Sequence, residues 1–433
     1  MTGRLPASMM AAMSLITMPR AAPVPVLFLV ADTGGGHRSA ARAVAEALMR
    51  SYPGGFAPVL LDPLSGPGSS WPLRRIACLY GPVIRYAPQV WGAVYHASDS
   101  EGVMRLLRRT LLRLVDRRVI DAAAGLRPAA VVSFHPLATQ AAVRAGRRST
   151  QAVPAVTVVT DLVSVHTAWR DDRADRIVLP SADVARSCRP GGTAPGRYAE
   201  LGLPVAAEFS AGPPMPHERL LIRRALSTGE RRFLVVVTGG GEGSGPIARE
   251  VSALLGRFDD VEVVAICGRN RRLQRKLAKL AARSAGRLTV HGFVTNMAEW
   301  LRCADVVVTK AGPSTIAEAA CCGAPLLITS HLPGQEDGNT ELAVRAGAGL
   351  SVPRVADLLR EIGRLRWDPA ALGAMREASA RLARPRAAAE IAEVIAELAT
   401  APAAPSLAPA GRPAVARSLG YDTVAEGGRH EAA

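Results

Sequence analysis

The chain has 433 residues, with 53 Lys or Arg, 37 Asp or Glu, and a formal net charge of +16. Hydrophobic residues make up 48% and charged residues 21%, a balance that excludes a largely disordered chain. At roughly 150 residues per domain, this length predicts two or three domains. No run of about 18 apolar residues occurs, so no transmembrane helix is expected.

The excess positive charge suits a negatively charged partner, either nucleic acid or an anionic membrane. Only three of the 53 basic residues are Lys, namely Lys276, Lys279 and Lys310. Such heavy use of Arg is typical of a coding bias, which would account for part of the charge without any function. The six cysteines form no CxxC pair, which predicts neither a zinc site nor a disulfide framework and favours a reducing cytosol.

A strand, a glycine turn and a helix follow one another in each half of the chain. The first unit has an apolar run at 26–31, the sequence DTGGGH at 32–37 and an Ala-rich helix at 39–50. The second has a strand at 233–237, a glycine turn at 238–245 and a helix at 246–255. This repetition predicts two doubly wound α/β domains whose sheets face a common cleft. Further strands are predicted at 59–61, 130–133, 155–160, 176–179, 261–266, 288–291, 306–309 and 326–329.

Composition sets the predicted boundaries. We expect a disordered N-terminus at 1–23, a first domain at 24–205 and a linker rich in Ala, Gly and Pro at 206–216. A second domain that includes the final helix is expected at 217–400, followed by a disordered tail at 401–433.

The first glycine turn can bring a substrate close to the backbone, because Gly35 and Gly36 carry no side chain. His37 follows at a helix N-terminus, with an ordinary pKa suited to proton transfer near neutral pH. In the alternative interpretation, His37 only caps the helix. The turn lacks the GxxxxGK[ST] pattern of nucleotide-hydrolysing P-loops, which argues against an ATPase.

The second glycine turn predicts a phosphate cradle formed by backbone N–H groups at a helix start. It comprises Gly239, Gly240 and Gly241, then Ser244. It does not match GxGxxG, and no obvious ribose-binding acid follows, so a nicotinamide cofactor is disfavoured. The alternative is a flexible loop.

A third strand, turn and helix unit reads TKAGPSTIAE at 309–318 and places Ser314 and Thr315 at a helix N-terminus, ready for a diphosphate. Glu318 lies one turn further on. Its carboxylate could take both ribose hydroxyls, or it could form a capping box with Thr315. In the loop at 332–339, Gln335 and Glu336 offer the mixed donors and acceptors that sugar hydroxyls require.

Seven motifs in this order resemble the monogalactosyldiacylglycerol synthase family and are more distantly similar to the N-acetylglucosaminyltransferase of peptidoglycan synthesis. The resemblance covers about residues 25–400. The motifs are GGGHRSA at 34–40, SFHP at 133–136, TDLVSVHTAW at 160–169, CGRN at 267–270, GFVTNM at 292–297, TKAGPSTIAE at 309–318 and PGQEDGN at 333–339.

The resemblance implies a GT-B glycosyltransferase that uses no cofactor and no catalytic metal. Such an enzyme moves a hexose from a UDP-sugar, its substrate, to the hydroxyl of a membrane lipid such as diacylglycerol, with inversion. The second domain would hold the UDP-sugar and the first would bind the acceptor. The predicted donor-binding residues are Gly239, Gly240, Gly241, Ser244, Arg269, Phe293, Val294, Gly312, Ser314, Thr315, Glu318, Gln335, Glu336 and Asn339.

The catalytic base is expected in the first domain. His37 is the first choice, and Asp161 is either the alternative base or the group that orients a histidine. His135 and His166 fall in family-like motifs, but each could also be a hydrogen-bonded structural histidine. The predicted acceptor-binding residues are Gly35, Gly36, His135, His166 and Trp169.

Residues 103–120 read VMRLLRRTLLRLVDRRVI and predict one amphipathic helix. Arg105, Arg109, Arg113 and Arg117 recur every four residues opposite an apolar face. A basic amphipathic helix suits an anionic membrane surface. The alternative is a helix that packs its apolar face on the sheet. We therefore expect a cytoplasmic protein, peripheral on the inner face of the cell membrane.

Two other functions compete with glycosyl transfer. A UDP-N-acetylglucosamine 2-epimerase shares the two-domain architecture but is disfavoured by the motifs at 133–136, 160–169 and 333–336. A basic nucleic-acid-binding protein is disfavoured because no RNA- or DNA-binding signature and no aromatic interleaving of the basic runs occurs. We expect no nucleic-acid partner. The sequence does not decide which sugar is transferred.

Overall fold

The computed structural model of the protein describes residues 22–31, 35–149, 152–188, 196–229 and 232–401, and the backbone of 422–423. Its described part contains one sheet of seven strands, six of them parallel, and one sheet of six parallel strands, with helices on both faces. This confirms the predicted pair of doubly wound domains. Most of the predicted disordered N-terminus, 1–21, and most of the predicted tail lie outside the described residues.

The first domain has the strand order β2-β1-β3-β4-β5-β6. Its elements are β1 (Val24–Leu29), α1 (Gly36–Ser51), β2 (Phe56–Leu61), α2 (Trp71–Tyr86), α3 (Pro88–Ser98), α4 (Glu101–Arg109), α5 (Leu112–Leu126), β3 (Ala130–Ser133), α6 (Thr139–Arg148), β4 (Ala155–Val158), β5 (Arg176–Leu179), α7 (Ala182–Cys188) and β6 (Tyr198–Glu200).

The second domain has the strand order β12-β11-β10-β7-β8-β9. Its elements are α8 (Pro216–Ala225), β7 (Phe233–Thr238), α9 (Ile247–Arg257), β8 (Val261–Ile266), α10 (Arg271–Ala281), β9 (Leu288–His291), α11 (Met297–Cys303), β10 (Val306–Lys310), α12 (Pro313–Cys322), β11 (Leu326–Ser330), α13 (Asn339–Arg345), β12 (Gly349–Ser351), α14 (Val355–Leu365) and α15 (Pro369–Leu382).

Continuous apolar runs mark the central strands. Residues 26–31 are entirely buried because helices cover both faces of a parallel sheet. The strands β6 and β12, which the sequence did not predict, are three-residue edge strands that lack such a run. Within the segment predicted as a tail, Asp422–Thr423 (β13) pairs antiparallel with β2.

The final helix α16 (Ala387–Thr400) packs on the first domain rather than the second, which corrects the predicted boundary at residue 400. Ile391 and Ile395 are fully buried and share a core with Val44 and Leu48 of α1. The apolar side chains of α16 recur at helical spacing and cover the part of the first domain's core next to α1. The chain therefore crosses between the domains twice.

The two crossings lie side by side. Ser210 Oγ donates a hydrogen bond to the carbonyl of Pro385 at 2.9 Å. Gly202 has a φ of +98°, and a Cβ there would lie 2.5 Å from Arg384 Cβ, so only glycine fits. The predicted linker at 206–216 is anchored as well, because Phe209 is buried in the core of the second domain.

The single helix predicted at 103–120 is wrong. The chain breaks at Thr110, whose φ of −114° and ψ of −97° end α4, and α5 begins at Leu112. Met104 and Val115 pack into the core on one face of the sheet, as the alternative interpretation expected. The stripe arginines, Arg105 and Arg109 among them, stay exposed.

Candidate active site

The site lies between the domains, at the carboxyl ends of both sheets, where open α/β sheets bind their ligands. Helices α2 and α3 of the first domain contact two loops of the second. Tyr80 Oη lies 3.4 Å from Gln335 Oε1, and an ion pair of 3.0 Å joins Arg85 to Glu242. Ser164 Oγ also donates to the carbonyl of Asp337. These contacts bring the predicted acceptor and donor residues together.

His37 follows the first glycine turn and is buried at the start of α1. Gly35, the N-cap, has a φ of +81°, which favours glycine at this position. Residues 32–34 of the turn lie outside the described residues. His37 Nδ1 lies 2.6 Å from Thr160 Oγ1. Burial lowers the pKa of His37 to about 4, against an opposing hydrogen bond with the backbone of Phe134, so the ring is neutral at pH 7.

Asp161 lies just after β4 and is almost fully buried. Trp169 Nε1 donates a hydrogen bond to Asp161 Oδ2 at 2.6 Å, and Gln335 Nε2 lies 3.4 Å from Oδ1 across the cleft. Burial raises the pKa of Asp161 to about 6, although both hydrogen bonds oppose the shift. In the described part of the chain this carboxylate does not orient a histidine, since Thr160 holds His37 instead.

His135 and His166 each cap a short 3₁₀ turn. His135 Nδ1 accepts a hydrogen bond from the backbone N–H of Leu137 at 3.3 Å. His166 Nδ1 accepts one from Ala168 at 3.0 Å, and its Nε2 lies 3.1 Å from Ser98 Oγ. Burial lowers the pKa of both rings. These contacts match the interpretation of both residues as hydrogen-bonded structural histidines, and contact with an acceptor stays a prediction.

The second glycine turn interlocks with the turn at 267–270. A Cβ on Gly239 would lie 1.9 Å from the carbonyl oxygen of Ser244, and one on Gly268 would lie 2.4 Å from that of Gly241. The backbone N–H of Arg269 donates to the same Gly241 carbonyl at 2.8 Å. The glycines therefore give this turn a defined, compact shape, which is not that of a flexible loop.

The N-termini of α1 and α12 face each other across the cleft. A Cβ on Gly36 would lie 2.9 Å from Ser314 Oγ. Helix α12 begins at Pro313 with Gly312 as its N-cap, and its cap makes no side-chain hydrogen bond. The capping-box interpretation of Thr315 is therefore wrong, because Thr315 lies inside the first turn. Both helix ends direct partial positive charge at the gap between them.

The predicted nucleotide-binding side chains of the second domain differ in their surroundings. Glu318 lies one turn into α12, and burial, with a smaller contribution from Glu208, raises its pKa to about 8. Phe293 is 60% exposed, and the Arg269 guanidinium carbon lies 5.5 Å from its ring centroid. Val294 packs against the domain core. An exposed aromatic ring beside a cationic group is a suitable platform for a base.

Gln335, in the loop at 331–338, reaches into the cleft. Glu336 in the same loop and Asn339, the first residue of α13, make structural contacts instead. Glu336 is buried, forms an ion pair with Lys310 and accepts a hydrogen bond from the Leu332 N–H at 2.7 Å. Asn339 Nδ2 donates to the carbonyl of Ala311 at 2.9 Å. Sugar contacts by Glu336 and Asn339 stay predictions.

Sequence reasoning did not assign Tyr80, Arg85, Glu242 and Lys310 to the site, although all four contribute to the cleft. Tyr80 and Arg85 lie on α2, in a segment without a clean period. For Lys310 the sequence offered one indication of a special role, because it is one of only three lysines in the chain.

The described ranges contain no group of three or more His, Cys, Asp or Glu side chains placed to hold a metal ion. Over the same part of the chain, every helix is too short or too polar to span a bilayer.

Comparisons with known proteins agree with this geometry. Residues 37–205 match the monogalactosyldiacylglycerol (MGDG) synthase family, and residues 234–390 match the glycosyltransferase family 28 C-terminal domain. Monogalactosyldiacylglycerol synthase 1, chloroplastic, of Arabidopsis thaliana is 31% identical over 390 residues, which cover 87% of this chain and 71% of that protein.

Two solved structures have the same fold. The MurG structure from Acinetobacter baumannii has a TM-score of 0.56 at 16% identity and covers 87% of this chain and all of its own. The UDP-GlcNAc 2-epimerase from Neisseria meningitidis, bound to UDP-GlcNAc, has a TM-score of 0.56 at 13% identity and covers 86% of this chain and all of its own. At these identities the two structures establish the fold alone.

Two Rossmann-like domains that face a cleft, with these sequence matches, define a glycosyltransferase of the GT-B class. The chain belongs to the monogalactosyldiacylglycerol synthase family.

Proposed function

We propose that the protein transfers a hexose from a UDP-sugar to the hydroxyl of a diacylglycerol-type lipid, with inversion and without a metal ion or cofactor. One observation carries this proposal. Asp161 of the first domain lies within 3.4 Å of Gln335, which belongs to the predicted sugar-binding loop of the second domain. A base and a donor loop at this separation can hold a hydroxyl and an anomeric carbon together.

The donor assignment is supported by the second domain. Its glycine turns and the N-terminus of α12 offer partial positive charge for a diphosphate. In this proposal Phe293 takes the base and Glu318 takes the ribose. The UDP-GlcNAc in the N. meningitidis epimerase supports a UDP-sugar as the ligand of this fold. The match to plant monogalactosyldiacylglycerol synthases supports a diacylglycerol-type acceptor.

The chemistry is a direct displacement. The acceptor oxygen attacks the anomeric carbon as the bond from that carbon to the β-phosphate oxygen breaks. The electron pair leaves with UDP, and a base takes the hydroxyl proton. Asp161 fits the base better than His37, because its pKa of about 6 makes it both ionised and basic at pH 7. His37, with a pKa of about 4, is a weaker base at the same site.

An exposed apolar face supports membrane binding. Trp71 is 69% exposed and Tyr86 66% exposed on α2, and Val90 and Val94 of α3 are also more than half exposed. The other side of α2 carries Tyr80 into the cleft. A bilayer that covers this face would therefore present a lipid hydroxyl next to the site.

A basic cavity on the same domain supports an anionic membrane surface. It lies between α5, α6 and the end of α4 and has a volume of about 670 Å³. Its lining includes Asp116 and Asp121 together with Arg108, Arg109, Arg113, Arg117, Arg144 and Arg148. Arg144 pairs with Asp116, which leaves an excess of positive charge. This arrangement supports a peripheral location on the inner, cytoplasmic face of the cell membrane.

The test is incubation of the purified chain with radiolabelled UDP-galactose, UDP-glucose or UDP-N-acetylglucosamine and vesicles that contain diacylglycerol. We expect labelled lipid with at least one donor, in the presence of EDTA as well as in its absence. Asp161→Asn is the inactive control. No labelled lipid with any donor would refute the lipid acceptor, and interconversion of free sugar nucleotides would establish the epimerase instead. Loss of product in EDTA would refute the metal-free chemistry.

A further inference from the structure

Lys310 is the last residue of β10, and the strand is irregular there. The pairing of β10 with β11 shifts register between Thr309 and Lys310, where Lys310 pairs with Ser330. A bulge at a strand end re-aims the following side chain and is over-represented next to active sites. The Lys310 side chain is 21% exposed, so it is neither a core residue nor a freely solvated one.

The ammonium lies where the glycine turns of the second domain meet. A Cβ on Gly312, the N-cap of α12, would lie 3.3 Å from Lys310 Nζ. A Cβ on Gly240, in the turn after β7, would lie 3.9 Å from Lys310 Cε. Both turns were predicted to hold the donor phosphates. An ammonium between two such turns can donate hydrogen bonds to a phosphate that the N–H groups of the turns also bind.

A buried carboxylate holds this ammonium. Glu336 pairs with Lys310 and is only 4% exposed on its side chain. Its second oxygen accepts the N–H of Leu332, so the loop fixes the carboxylate. The pair lies beside the proposed chemistry, because Gln335, the neighbour of Glu336 in the chain, lies 3.4 Å from both Asp161 and Tyr80.

Arg269 is the one cationic side chain among the predicted donor-binding residues, and its contacts differ from those of Lys310. Its guanidinium pairs with Glu242 at 3.1 Å and lies over the ring of Phe293. Glu242 belongs to the second glycine turn, and a Cβ on Gly35 would lie 3.9 Å from Arg269 Nη1, so Arg269 also lies at the glycine turns. Lys310 is a second cation there, on the side of Gly240 and Gly312.

We propose that Lys310 binds the diphosphate of the donor and stabilises the charge on UDP as it leaves. This inference rests on the proposed function. As the bond from the anomeric carbon to the β-phosphate oxygen breaks, that oxygen gains the electron pair and the ammonium compensates its charge. The acceptor proton goes to Asp161, so Lys310 transfers none. Glu336 is a positioning residue that keeps the ammonium between the turns.

The test compares UDP with uridine, which lacks the diphosphate, by calorimetry on the full chain. Lys310→Met should weaken UDP binding at least tenfold and leave uridine binding unchanged. It should also lower kcat about 100-fold, the usual loss when one preorganised donor to a developing anion is removed. Lys276→Met, at an exposed position on α10, is the matched control and should change neither affinity.

A second variant covers the case in which Lys310→Met fails to fold. Glu336→Gln keeps an acceptor for the Leu332 N–H but removes the negative charge. It should bind UDP at least as tightly as the wild type. Equal loss of UDP and uridine affinity in both variants would indicate a structural role and overturn the proposal. Unchanged UDP affinity in Lys310→Met would overturn it as well.

A failure of the proposed function can be distinguished from a failure of the Lys310 proposal. If the wild type binds no UDP, the donor assignment fails, and this proposal fails with it before any variant is made. If the wild type binds UDP but makes no labelled lipid, the acceptor assignment fails. In that case a selective loss of UDP affinity in Lys310→Met still supports the diphosphate role.

Discussion

The pH dependence of catalysis distinguishes the two candidate bases. With a pKa of about 6, Asp161 is about nine-tenths ionised at pH 7 and about one-tenth ionised at pH 5. If Asp161 is the base, kcat/KM falls about tenfold between these pH values, because only the carboxylate accepts a proton. The acidic limb of the profile then has its midpoint near pH 6.

His37 would give a different profile. Its pKa of about 4 leaves the ring neutral throughout the range from pH 5 to pH 7. If His37 were the base, kcat/KM would stay nearly constant there and fall only near pH 4. Initial rates over pH 4.5–8 at low, subsaturating donor concentration separate the two cases.

Two substitutions sharpen the assignment. Asp161→Asn should lower kcat/KM by about 10²–10⁴, the usual contribution of a general base, and should remove the acidic limb of the pH profile. Trp169→Phe should move the midpoint to higher pH, because the Trp169 N–H favours the carboxylate and its loss raises the pKa of Asp161. A limb near pH 6 that survives in Asp161→Asn, or a midpoint that moves to lower pH in Trp169→Phe, would refute the reasoning.

Three further outcomes are expected. Glu318 has a folded pKa of about 8, above its ordinary 4.5, so its contribution to stability is lost as pH rises from about 4.5 to about 8. Glu318→Gln should therefore raise Tm relative to the wild type at pH 8 but not at pH 4.5, and an equal Tm difference at both pH values would contradict this pH dependence. Glu318→Ala should mainly weaken UDP binding. Gly239→Ala should lower the free energy of unfolding by about 1–3 kcal/mol, measured by urea unfolding, because the new Cβ would overlap the Ser244 carbonyl. An unchanged urea midpoint would show that the turn can rearrange at little cost. Replacing Trp71 and Tyr86 together with Ala should weaken vesicle binding at least tenfold without changing UDP affinity, and unchanged sedimentation with vesicles would remove α2 from the membrane face.

The sequence predicts best what depends on neighbouring residues. The apolar runs at 26–31 and 306–308 identify buried strands because a parallel sheet covered on both faces needs no polar alternation. The glycine turns that follow give the positions of His37 and Ser314. The break at Thr110 was missed because the spacing of leucines and arginines continues across it as if the helix were unbroken.

Contacts between distant parts of the chain could not be predicted. Tyr80 and Arg85 meet the donor loops only because the domains close on each other. Likewise, the position of α16 in the chain suggests that it belongs to the second domain. Only the structure shows that it packs against the apolar face of α1 in the first domain. The pairing of Lys310 with Glu336 depends on a bulge and a loop that come together only in three dimensions.

The adjacent crossings at Gly202 and Arg384 have a mechanical consequence. Two chain segments joined by the hydrogen bond from Ser210 to Pro385 limit the relative movement of the domains more than one flexible tether would. Opening of the cleft is then largest at the rim farthest from these crossings. Spectroscopic labels at that rim would report the full range of motion, whereas labels beside the crossings would hardly change their separation.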